Sequence, residues 1–122
     1  MRILTYNVNN WHCITDGERT VDDFVAWLHE VKRVKEFWYM EVPSCTEWKI
    51  NNAMQTFNPN CFVEVGLAGV EAKIAALSMY RGVMRPYPHP RSAEYITGLA
   101  AMRGGQWGCE YAESFEVVLR KY

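Results

Sequence analysis

An α+β fold, one small mixed or antiparallel sheet of about three strands with four helices mainly on one face, is what the sequence predicts. Two observations carry this expectation. Short β-branched and aromatic runs stand at 2–8, 61–65 and 114–122, and stretches of helical periodicity separated by turn residues lie between them. The resulting order is β-α-α-β-α-α-β over one domain, 1–122, and one sheet covered on one face by helices is the usual way to bury such elements. A mostly helical fold is the alternative, because strand-like residues are the minority.

"RILTYNV" reads as the first strand, closed by an Asn cluster, and "NNWHCITDGER" follows as a loop around Asp16-Gly17. Thr20 with Asp23 signals a helix start. Val21, Phe24, Val25, Leu28, Val31 and Val34 then recur at helical spacing, which predicts an amphipathic helix to about residue 39. Pro43 stops it, and Ser44-Cys-Thr-Glu47 has the form of a capping box opening a second helix that ends at Asn58-Pro59-Asn60. "CFVEV" is a buried strand closed by Gly66. A third helix covers about 69–81, with Val70, Ile74, Leu77 and Tyr80 on one side and Gly82 as its stop. "RPYPHPRS" has prolines at alternate positions and is therefore extended. Ser92 caps a fourth helix over about 93–103, ended by Gly104-Gly105, and "SFEVVLRKY" is the last strand.

Composition narrows the function classes. Hydrophobic residues make up 49% and the formal net charge is -1, so the chain folds around a core and has no general attraction for polyanions or acidic membranes. No run approaches the roughly 20 apolar residues of a membrane span. Cys13, Cys45, Cys61 and Cys109 are widely spaced, and no secretory leader is legible. They read as reduced thiols of a cytoplasmic protein, with no zinc-like pairing.

"ILTYNVN", ending near Asn7, and "FWYMEV", carrying Glu41, resemble the first two strands of the endonuclease/exonuclease/phosphatase nucleases. There an Asn ends the first strand and a metal-binding Glu ends the second. The resemblance implies Mg²⁺ held by Glu41, polarising a phosphoryl oxygen and activating water. It covers residues 1–42 at most, and the chain has neither the Asp-x-Asn motif nor the Ser-Asp-His of that family. That fold is a four-layer sandwich about twice as long as this chain. The opening run is thus read as a plain sheet strand, with no metal and no cofactor expected.

Other constellations are also incomplete. His12-Cys13 lacks a partner element that would make the pair a base and a nucleophile. Glu110, Glu113 and Glu116 line one face only if their region is helical, and otherwise form a solvated acidic edge. No catalytic residue is therefore assigned.

The tract "YRGVMRPYPHPRS" carries more. Arg81, Arg85, Tyr87, His89 and Arg91 interleave cations with rings, Arg103 follows at the end of the fourth helix, and Glu94 is the sole acid between residues 80 and 103. Arginine forks take carboxylate or phosphate, aromatic rings stack on bases or dock in pockets, and a proline-rich loop loses little entropy on binding. The chain also has five tryptophans. Trp27 and Trp38, eleven residues apart, would share a side of the first helix and widen its apolar surface enough for a docked protein or a homodimer contact. The expectation is a non-enzymatic interaction protein, a regulator or inhibitor of the kind phages and mobile elements often encode. The alternative is a nucleotide- or phosphate-binding domain, or a small enzyme, using residues 80–103.

Overall fold

The computed structural model describes residues 3–6, 34–44, 46 and 57–122. Four strands form one sheet: β1 (Ile3–Tyr6), β2 (Glu36–Met40), β3 (Cys61–Glu64) and β4 (Ala112–Arg120), in the order β1-β2-β4-β3. β4 is antiparallel to both β2 and β3, and β1 adds in parallel beside β2 with Tyr6 opposite Tyr39. Two helices complete the described residues, α1 (Gly66–Ser78) and α2 (Ala93–Trp107). The α+β class holds, and the mostly helical alternative does not, because the sheet organises these elements. The expected count of four helices is not supported: two are present among the described residues. The stretch expected as the second helix lies mostly outside them, as does the first as far as residue 33.

The largest correction is β2. The first helix does not reach residue 39, because Glu36–Met40 is a strand. Phe37, Trp38 and Tyr39 are consecutive aromatics, which favour extended backbone, and in a strand with apolar residues on both faces the period-2 signal disappears. Phe37 is fully buried and packs with Leu119, Val34, Tyr39 and Val118. The Phe37 and Tyr39 rings meet edge-on at 5.3 Å. Trp38 points to the other face, 5.5 Å from the Phe115 ring, with the Arg120 guanidinium 5.9 Å over its own ring. Trp38 is therefore a sheet residue and not part of a helical tryptophan stripe, while Trp27 lies outside the described residues. The register shifts between Phe37 and Trp38, leaving Val118 as the extra residue of a bulge.

Ser44 brings a second correction. It stands at φ 66, in the left-handed region, whereas a helix N-cap is extended. Ser44 lies in a tight turn that Thr46 closes, Thr46 donating its N–H to the Val42 carbonyl (3.0 Å) while its Oγ1 accepts the Val42 N–H (2.9 Å).

α1 begins three residues earlier than its periodicity indicates. Gly66, at φ 62, turns the chain from β3 into the helix. The helix stops at Ser78, where the Ser78 hydroxyl bonds the Ile74 carbonyl (2.8 Å), and Gly82 lies in the following turn rather than at the helix end.

α2 starts as expected: Ser92 is extended and its Oγ accepts the Tyr95 N–H at 3.1 Å, with Glu94 in the positive first turn. Ile96, Ala100 and Gly104, four apart, form its buried stripe, and the helix lies against β4 and β3, with α1 against α2.

Gly104-Gly105 does not end α2. The helix continues to Trp107 and stops at Gly108, φ 91, whose N–H returns to the Gly104 carbonyl at 2.8 Å. Gly104 serves a close approach instead: a Cβ there would lie 2.6 Å from the Glu110 carbonyl oxygen and 2.7 Å from that of Cys109. At Gly105 a Cβ meets nothing within 4 Å. The two neighbours should respond with opposite signs in chemical denaturation. Gly104→Ala is expected to cost about 1–3 kcal/mol by overpacking, and Gly105→Ala to stabilise by about 0.5–1 kcal/mol through helix propensity.

Candidate functional site

The residues after β2 grip α2 and its approach. Glu41 holds Arg103 with both oxygens, Oε1 to Nη2 at 2.7 Å and Oε2 to Nε at 3.0 Å. Ser114 donates its hydroxyl to the same Oε2 at 3.1 Å, and Gln106 accepts the remaining Arg103 Nη1 at 2.8 Å. The Phe57 ring lies 5.9 Å from this guanidinium. Three residues on, Ser44 Oγ accepts the Arg91 Nε–H at 2.6 Å. One short segment thus fixes Arg91, just before α2, and Arg103, in its last turns. Fork-to-carboxylate pairing of this kind is directional and shielded here from water.

Beside this clamp is a cavity of about 20 Å³, walled by Glu41, Arg103, Ser114, Val70 and Ile96, with the Lys73–Glu113 ion pair at its edge. It has room for one or two waters, far below the roughly 300–1,000 Å³ of a small-molecule pocket.

β1 and β2 are parallel neighbours, and Glu41 does follow a strand. Its carboxylate, however, is held by the Arg103 guanidinium and the Ser114 hydroxyl, so a cation there would have to compete with an ion pair already made. Among the described residues no group of three His, Cys, Asp or Glu side chains is placed to hold one. Asn7, His12 and Cys13 lie outside those residues. Glu110, Glu113 and Glu116 do not share a helix face. Glu110 is in the turn after α2, Glu113 on β4 pairs with Lys73, and Glu116 accepts the Asn58 N–H at 3.1 Å.

The arginine tract divides into a bonded base and an outer surface. Arg85 N–H donates to the Arg91 carbonyl (3.1 Å), His89 N–H to Pro86 (3.1 Å) and Ser92 N–H to His89 (2.9 Å). The His89 ring turns inward, its Nδ1 accepting the Arg91 N–H at 3.0 Å. The Tyr87–Pro88 peptide is cis. Outside this base, Arg81 and Arg85 are exposed and make no ion pair with a described residue. Met79, Tyr80 and Tyr87 stand out beside them, both tyrosines at 67% exposure.

Of the residues singled out from sequence, Arg81, Arg85 and Tyr87 reach one exposed loop. His89 and Arg91 build its base, Arg103 ties α2 to the end of β2, and Trp38 packs on Phe115 within the sheet. Sequence reasoning missed Glu41 and Ser44 as anchors. Their arginine partners are 62 and 47 residues away, and no local pattern encodes such pairing.

A second feature lies on β3, an edge strand among the described residues, where the Phe62 ring stacks on the exposed Trp107 ring at 5.6 Å and 4°. Cys61 and Cys109 are free thiols. No helix among the described residues is long and apolar enough to cross a membrane. Neither a known family model, nor a curated protein, nor a solved structure matches this chain.

Proposed function

We propose that this chain is a non-enzymatic interaction protein, a regulator or inhibitor that docks on a protein partner through the loop of residues 79–89. The observation that supports this is the division of its arginines. Arg91 and Arg103 are bonded inward to Ser44 and Glu41, while Arg81 and Arg85 point outward among Met79, Tyr80 and Tyr87. An exposed set of Arg, Tyr and Met on a hydrogen-bonded base has the composition of an interface hot spot.

The nucleotide or phosphate reading has less support. It needs several forks converging on one anion, and two of the four arginines are already engaged elsewhere. A homodimer through a tryptophan-rich helix also loses half its basis, since Trp38 packs on Phe115 in the sheet.

Photo-cross-linking from residue 84, in lysate, tests the reading. Wild type should capture a discrete protein, and Arg81→Ala/Arg85→Ala/Tyr87→Ala should lose it while melting normally. Capture unaffected by the triple substitution would reject the proposal. A thermal shift with a nucleotide, lost in the same variant, would favour the anion reading: saturation at 100 times the dissociation constant stabilises by about 2.7 kcal/mol.

A further inference from the structure

We infer that the element this loop takes from its partner is an acidic protein segment, carboxylates flanking an aromatic or apolar side chain. The inference rests on the docking reading above and adds the partner's chemistry. Arg81 and Arg85 are exposed cations without an ion pair to a described residue, in a chain whose net charge is -1. The other guanidiniums among the described residues all have partners: Arg91 at Ser44, Arg103 at Glu41 and Arg120 at Glu36. Glu94 is the one acid between residues 80 and 103, and it stands in the first turn of α2, where the helix dipole favours it. The loop therefore offers two planar forks unmatched by local charge, and a carboxylate is the side-chain group that matches a fork two bonds to two.

Tyr80 and Tyr87, interleaved with these arginines, supply the apolar part. Each presents a ring with a hydroxyl at its tip, suited to a surface dry on one side and wet on the other. Two free cations also decide between polyanions. Nucleic-acid affinity grows with the number of phosphates neutralised, and proteins that bind it well make about 6–10 such contacts. Two forks fall far short of that on a chain with no net positive charge, yet they suffice to match two carboxylates one to one.

The probe is a labelled peptide of sequence Glu-Glu-Tyr-Glu-Glu, compared by fluorescence anisotropy with its all-Gln counterpart and with a dT oligonucleotide of twelve residues. The acidic peptide should bind wild type, weaken as salt rises, and lose about tenfold or more in affinity in Arg81→Ala/Arg85→Ala. The all-Gln peptide should bind at least about tenfold more weakly than the acidic one. Equal binding of the two peptides overturns the inference. So does tighter, arginine-dependent binding of the oligonucleotide, which would assign the loop to nucleic acid. If the acidic peptide fails while the cross-linked partner still depends on Arg81 and Arg85, the acidic segment is wrong and docking stands. If that partner's capture is also indifferent to the arginines, docking itself is wrong.

Discussion

Replacing Phe37 with alanine is expected to lower the unfolding free energy by about 3–5 kcal/mol. Among the described residues Phe37 is the largest side chain with no exposure at all, and it sits where β2 and β4 meet, paired with Leu119 and flanked by Val34, Tyr39 and Val118. Truncation removes the ring's transfer free energy and leaves a cavity that a bulged strand pair closes poorly. Domains of this size are stable by about 5–15 kcal/mol, so the variant should approach the edge of folding. The midpoint of urea denaturation should fall with an unchanged slope. Phe37→Leu, which keeps most of the volume, should cost less than half as much. A loss below about 1 kcal/mol for Phe37→Ala would mean that the residue is not in a close-packed core and that β2 is misassigned.

Arg103→Ala is expected to be the most damaging substitution among the described polar residues, at about 2–4 kcal/mol. It strands the Glu41 carboxylate, mostly shielded from water, with only the Ser114 hydroxyl for company. The loss is mainly the penalty of an uncompensated charge, not the intrinsic strength of the pair. Glu41→Gln should be milder, and adding it to Arg103→Ala should recover part of the loss. A double-mutant cycle should return a coupling of about 1–3 kcal/mol, little affected by salt because the pair is shielded. A coupling near zero, or one that disappears in 0.5 M salt, would show that the clamp is a surface ion pair of little consequence.

How much of this was legible in the chain depends on the kind of signal. β1, β3 and β4 announce themselves by β-branched and aromatic runs between turn residues, and α2 by Ser92 ahead of a regular apolar stripe. β2 does not, because "EFWYM" is apolar toward both faces and its Phe37 and Trp38 continue a helical spacing by coincidence. Gly104 was misleading for a related reason: a glycine needed for backbone approach looks the same in sequence as one that stops a helix. In the candidate site, residue types identified an arginine and tyrosine surface. Which arginines are free was hidden, because Glu41 and Ser44 engage theirs across the fold.

Arg103 holds the fold while Arg81 and Arg85 do not, and melting curves of three single variants test this division without any partner. Arg81→Ala and Arg85→Ala should each melt within about 0.5 kcal/mol of wild type, as exposed side chains without structural partners do. Arg103→Ala should fall by several degrees or more, at roughly 2–8 °C per kcal/mol for a chain of this size. If Arg81→Ala or Arg85→Ala melts as low as Arg103→Ala, those residues hold the fold together and the exposed loop is not a free docking surface.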